Sequence, residues 1–288
     1  MRIVLPRNRR ELPVKRKPIA TGLALAAILI AAILTTGCAW MGTNVSYYEN
    51  DEDISVPAGT YTTLVVENRA GTIRIKNSTG DRVTGLLRKK TSGSGSAILK
   101  SVASAVTYQV QATGSTLRIT EVYRTDDRID FWSWKDTNHP DVNVGLEYEL
   151  SVPAGVTVVE VHQAAGNTEF NAYSGTVSIT NNAGNVTMTD VRLSGDSRIA
   201  LVSGNLDIKV AALAADASLT AGLTAGTVSL TFSKNLGVVL DASVGAGTIS
   251  GNFAPLPITN SSLKQTMGSG GPPIIVLVTS GNIDLTRN

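Results

Sequence analysis

Cysteine is what this chain most lacks: Cys38 is the only one in 288 residues. A single thiol excludes an intramolecular disulfide and any cysteine-based metal site. Histidine is nearly as scarce, with His139 and His162 alone. A Ser-His-Asp triad therefore has few candidates, and no G-x-S-x-G elbow is present. His162 sits in an alternating segment and reads as a solvent-facing residue. Aromatics make up only 5% of the chain, so any core has to be mainly aliphatic.

A basic surface is missing too, despite a formal net charge of +2. Seven of the 25 basic residues precede Cys38, against one of the 23 acids. The remainder carries 18 bases and 22 acids, a net of −4. A nucleic-acid-binding patch and a polybasic membrane surface are both excluded.

Long apolar runs are absent except at one place. Residues 2–17 are strongly basic, Gly22 to Leu34 is almost purely apolar, and Thr35-Thr36-Gly37-Cys38 follows. This order is the mark of a secretory signal peptide. It resembles a bacterial lipoprotein signal, which implies cleavage between Gly37 and Cys38 and lipidation of Cys38. Thr35 departs from that pattern, because the usual Leu stands one place earlier, at Leu34. An uncleaved anchor is the main alternative, since Ile19 to Met41 carries no charge and is long enough to span a bilayer. A cleaved, soluble product is a third reading. All three put the rest of the chain outside the cytoplasm, because the basic flank stays inside. The polar residues that follow, up to residue 54, read as a tether.

What the chain has in quantity is repetition. Ser55-Val56-Pro57-Ala58-Gly59 returns as Ser151-Val152-Pro153-Ala154-Gly155. Each copy leads through an alternating run to a small residue and Gly, at Ala70-Gly71 and Ala165-Gly166, as if there were two related halves. A shorter unit, small-Gly-Asn/Thr-apolar-polar-apolar, recurs at Ala183-Gly184-Asn185, Ser203-Gly204-Asn205, Ala225-Gly226-Thr227, Ala246-Gly247-Thr248 and Ser280-Gly281-Asn282. Glycines 166, 184, 204, 226 and 247 are 18, 20, 22 and 21 residues apart, with a second series of alternating runs between them. A period near 20 with two short strands per period suits a single-stranded β-solenoid: rungs stack, alternate side chains point inward, and a glycine turns each corner. Asn167, Asn185, Asn205 and Asn282 follow their glycines and are placed for an amide ladder. An antiparallel sandwich with glycine turns is the competing architecture.

The Val-Pro-Ala-Gly starts, the ordered small-Gly-Asn/Thr units, and the ending Gly268-Ser269-Gly270-Gly271 with Val278 to Leu285 resemble the bacterial adhesin-type β-strand-repeat domains of cell envelopes. The resemblance spans about Ser55 to Leu285. It implies a β-helical fold and an envelope location, and it brings no catalytic residues.

The expected organisation is a signal peptide (1–37), a tether (38–54), an irregular N-terminal β-repeat half (55–120) with one short helix near Ala97 to Val106, an inserted loop (121–145) and a regular solenoid (146–288). The loop concentrates Arg124, Arg128, Phe131, Trp132 and Trp134, residue types that either anchor a ligand or cap an open stack end. Its acids, including Asp126, Asp130 and Asp136, lack the spacing of a calcium loop, and no metal or cofactor is expected. In the solenoid, eight acids from Glu160 to Asp284 show no shared rung position. The expected function is non-enzymatic: an envelope lipoprotein that is adhesin-like, scaffolding or sensing. Its expected partners are the membrane, through the lipid, and a surface glycan or envelope protein. A β-helix enzyme acting on extracellular polysaccharide is the alternative.

Overall fold

A computed structural model describes residues 45–124, 126, 128–252 and 261–288. The segment read as a signal peptide, with Gly37 and Cys38, lies outside the described residues.

The regular part is a parallel stack. Strands β7 (Val158–Asn171), β8 (Ser174–Leu193), β9 (Asp196–Leu213) and β10 (Ser218–Phe232) pair in sequence order. Each rung is one long strand bent at its corner glycine. Before and after the bend, alternate side chains turn inward: Val177, Ile179, Val186 and Met188 from β8, and Ile199, Leu201, Leu206 and Ile208 from β9 are all buried. Parallel pairing in register decides for the solenoid over the antiparallel sandwich.

The corner is a backbone constraint. Gly71, Gly166, Gly184, Gly204, Gly226, Gly281 and Gly247 form one column with φ between +122° and +142°. A Cβ on Gly204 would overlap the carbonyl oxygen of Gly184, and one on Gly226 that of Gly204. Both the dihedral and the close approach therefore require glycine.

Three sequence expectations change. The segment up to residue 54 is not all tether: Ser46–Ile54 is strand β1, antiparallel to β3 (Thr84–Gly93). Its charges are what hid it. Glu49 and Asp51 face Lys90 and Arg88 across the ladder, so opposite charges favour the pairing. Secondly, the segments that follow the two Val-Pro-Ala-Gly copies, read as two related halves, lie next to each other in one stack. Strand β2 (Thr63–Ser78) stacks directly on β7, with Gly71 against Gly166. On its other side β2 pairs with β5 (Thr116–Tyr123) through residues 63–67 and with β6 (Asn143–Pro153) through residues 71–78. Thirdly, rung order is not chain order at the C-terminus. Strand β11 (Val238–Gly251) leads to β12 (Ser262–Met267), which pairs with it antiparallel. The chain end, β13 (Pro273–Arg287), inserts between β10 and β11.

Two short helices occur among the described residues. Helix α1 (Ser96–Ala105) falls where the sequence suggests one and buries Leu99, Val102 and Ala103. Helix α2 (Phe131–Asn138) lies inside the stretch read as a loop. Asp130 starts it, accepting hydrogen bonds from the backbone N–H groups of Trp132 and Ser133. Strand β4 (Val106–Thr113) forms a hairpin with β5.

Gly204→Ala should cost at least about 2 kcal/mol in chemical denaturation, because strain and overlap add. Gly145→Ala, where an added Cβ meets nothing within 4 Å, should shift stability by less than about 0.5 kcal/mol. Equal effects would refute the glycine column as a constraint.

Candidate functional site

The stack offers two outward faces. The face after the corner is polar and continuous. Its first row carries the expected amide ladder: Asn185 Nδ2 donates to Asn167 Oδ1 at 3.2 Å, and Asn205 Nδ2 to Asn185 Oδ1 at 3.3 Å. Thr227 then intervenes, its N–H donating to Asn205 Oδ1, before Asn282 receives the N–H and hydroxyl of Thr248. The next row corrects the reading of the acids. Glu169, Asp207 and Asp284 do share a column, with Thr187, Ser229 and Ser250 between and beyond them. Hydroxyls separate the carboxylates, and Ser250 donates to Asp284. With one rung between successive acids, two spacings or roughly 9.6 Å apart, no pair can share a proton.

Towards the N-terminal strands the same face becomes an ion-pair lattice. Arg74 reaches Glu169 at 3.0 Å, Glu147 at 3.3 Å and Glu149 at 3.8 Å. Arg88 reaches Glu49 at 2.9 Å, Glu149 at 3.1 Å and Asp51 at 3.2 Å, while Lys90 holds Glu147 at 2.7 Å. Burial opposes ionisation of Glu147, but Lys90 and Arg74 outweigh it and hold its pKa below the usual range. Single exposed pairs contribute little, so any stabilisation here comes from the network.

The face before the corner differs. Over β8, β9, β10 and β13 it forms a shallow groove of about 280 Å³ lined by Thr180, Ala200, Val202, Gly222 and Leu277. Gly222 leaves the dent between Ala200 and Leu277.

The loop residues singled out by sequence mostly converge, but inward. Phe131 and Trp132 are buried, and Trp134 stacks on Tyr123 at 4.9 Å and packs against the core. Trp132 Nε1 donates to Glu121 Oε1 at 3.3 Å, and Arg69 lies over its ring at 5.9 Å. Arg124 clasps both oxygens of Glu52 at 2.8 and 3.0 Å and donates to the Ser104 carbonyl, joining β5 to β1 and α1. Arg128 stands apart: its side chain is 86% exposed and pairs with Asp126 two residues away.

Sequence reasoning passed over the buried polar groups. Lys89 is buried, with Nζ donating to Glu52 at 2.8 Å and to the Val106 carbonyl at 3.2 Å. Burial raises the Glu52 pKa, but hydrogen bonds from Lys89, Thr107 and Arg124 outweigh it and hold the carboxyl below the ordinary range. Burial pushes Glu121 the other way, upward, against its hydrogen bonds from Arg69 N–H and Trp132. Asn68, Gln163 and Asn181, each three residues before a corner glycine, donate to the carbonyls of Leu146, Gly71 and Gly166 at 3.3, 3.0 and 2.9 Å. That spacing was the available signal. Among the described residues no three His, Cys, Asp or Glu side chains converge as a metal ion needs.

A family model described as Toastrack DUF4097 matches residues 34–286. The chain belongs to the Toastrack DUF4097 family. The Toastrack match takes in both the irregular and the regular rungs. Among solved structures, the chain is similar to a candidate cell adhesion protein from Clostridium sporogenes ATCC 15579, at 11% identity and a TM-score of 0.47, covering 84% of this chain and all of that one. It is also similar to a candidate adhesin from Bacteroides fragilis NCTC 9343, at 12% identity and a TM-score of 0.43, covering 84% and 97%. No curated protein matches it.

Two predictions test this end of the Toastrack domain. Trp132→Ala with Trp134→Ala should lower stability by about 3–5 kcal/mol, since a buried indole and its stacked neighbour are removed; an unchanged melting temperature would refute a packing role. In carboxyl NMR titrations, Glu121 should titrate above the ordinary glutamate range and Glu52 below it. Stability should then fall as pH rises above the ordinary glutamate pKa toward that of Glu121, where the unfolded chain holds fewer protons. It should also fall as pH drops through that of Glu52, where the unfolded chain holds more. Coincident titrations would contradict the assigned environments.

Proposed function

We propose that this protein is an exported lipoprotein, acylated at Cys38, that displays a rigid β-stack outside the cytoplasm as a non-enzymatic adhesin-like, scaffolding or sensing module. The observation that carries the reading is the pair of long, fixed, chemically different faces joined to an N-terminal address. One face is polar and charged, the other partly apolar, and both are built on in-register rungs that resist deformation. Such faces suit broad contact with an envelope protein or a surface glycan. Among the described residues the more closed hollows hold about 220 Å³ each, and larger ones of about 390 and 550 Å³ are open surface depressions that do not enclose a substrate. Carboxylates separated along the row by hydroxyls are also an arrangement that favours contact over acid–base chemistry. The basic segment, the apolar run and Gly37-Cys38 support export and acylation.

Metabolic labelling with a palmitate analogue tests the anchor. The wild type should incorporate label, and Cys38→Ser should incorporate none and accumulate as a longer, uncleaved precursor. Equal labelling of the two would overturn the lipoprotein reading.

A further inference from the structure

Two large aliphatic side chains stand exposed on the face before the corner, Val202 at 51% and Leu277 at 47%. Leu277 is the register partner of Gly222 on the neighbouring strand. A Cβ added at Gly222 would meet nothing closer than the Ile199 carbonyl oxygen at 3.8 Å, so the space outside it is open. A knob on β13 and a hollow on β10 therefore lie one strand spacing apart. The outward row through them runs Thr180, Ala200, Gly222, Leu277, Ser243 from β8 to β11. The row farther from the corner runs Ser178, Arg198, Thr220, Ile275, Asp241, Lys264 from β8 to β12. None of the ion pairs among the described residues involves Arg198. Asp241 pairs with Lys264 at 3.3 Å, and both are partly open to solvent.

A two-fold axis parallel to the strands, midway between β10 and β13, turns each of these rows onto itself in reverse. It sets Leu277 of each copy over Gly222 of the other. The same rotation sets Arg198 over Asp241, and Lys264 over Ser178, one rung from Glu160. Val202, one row nearer the corner, comes over Gly245, which carries no side chain. We infer that two copies of this chain pack this face together about that axis as an isologous dimer. Knobs meet hollows and opposite charges come face to face under one operation, which is what self-complementarity requires. Sheets packed face to face lie about 10 Å apart with strands within about 30° of each other, as this alignment needs. The overlap takes in six strands, and at about 4.8 Å per strand and about seven residues of depth it covers roughly 650 Å² per copy. That is close to the roughly 800 Å² per partner of standard specific interfaces and suits a reversible dimer. The second copy as partner rests on the reading of this face as a contact surface, and it needs neither the acyl group nor the polar face.

The test uses the full-length protein in a density-matched detergent, followed by sedimentation equilibrium over a concentration series. The wild type should show a reversible monomer–dimer equilibrium. Gly222→Leu, which sets leucine against leucine, and Arg198→Asp, which sets two acids together, should each weaken it at least about tenfold. Exchange across the axis should rescue both. Gly222→Leu with Leu277→Ala, and Arg198→Asp with Asp241→Arg, should return to within about threefold of the wild type. All four side chains face outward, so melting temperatures should stay near that of the wild type, which separates lost contact from lost fold. Single variants that dimerise as tightly as the wild type, or exchanges no tighter than the single variants, would overturn the dimer. A wild type monomeric at every concentration would also overturn it, leaving the face to a glycan or an envelope protein and the contact reading intact.

Discussion

The close passage of one backbone over the next at the corner glycines is what the rest of the architecture depends on. At each corner a carbonyl oxygen occupies the space where a side chain would begin, so register is set by steric exclusion before any side chain packs. With register set there, alternate residues on either side turn inward together and the aliphatic core follows. Outward rows are fixed by the same step, which is why the amide ladder and the acid–hydroxyl row both keep their order over several rungs. A slip of one residue would put a Cβ against a carbonyl and turn every apolar side chain to solvent.

Rungs at the two ends need different chemistry, because a stack end exposes unpaired backbone. Towards the N-terminal end, β5 and β6 pair with β2, the two helices pack on β1, β3, β4 and β5, and the buried polar groups concentrate there. Lys89, Glu52 and Arg124 tie β3, β1 and β5 together, while Trp132 and Glu121 hold α2 against β5. Asn68 bonds the Leu146 carbonyl, Gln163 and Asn181 bond the first two carbonyls of the glycine column, and from β9 onward leucine or valine takes the same inner position. Amides near the irregular end and hydrocarbon in the regular rungs suggest a division of labour. Directional bonds set the start of the stack and burial extends it.

Much of this was legible because the corner constraint is local. A small residue, Gly and then Asn or Thr mark a corner wherever they occur, and the parallel rungs follow from counting between them. The Asn167, Asn185 and Asn205 ladder was legible for the same reason. What escaped depends on partners far away in the chain. Ser46–Ile54 reads as a charged tether until Arg88 and Lys90 are set beside it. Trp132 and Trp134 read as either ligand anchors or a cap, and only β5 beneath them shows what they pack against. Glu169, Asp207 and Asp284 seemed unrelated by position, yet each stands three residues after its own corner glycine, and counting from the glycine aligns them. Spacing measured from the wrong origin, rather than missing information, hid that row.

Placing β13 between β10 and β11 makes the stack depend on a strand that follows both of its neighbours in the chain. Strands β8, β9 and β10 each pair with the strand that precedes them in the chain. β11 does not: the strand it lies against, β13, comes after it. The fifteen residues of β13 thus close the stack by filling the place between β10 and β11. A variant without β13 would present an open β10 edge and a loose β11–β12 hairpin, and an unpaired strand edge is a template for association with neighbouring chains.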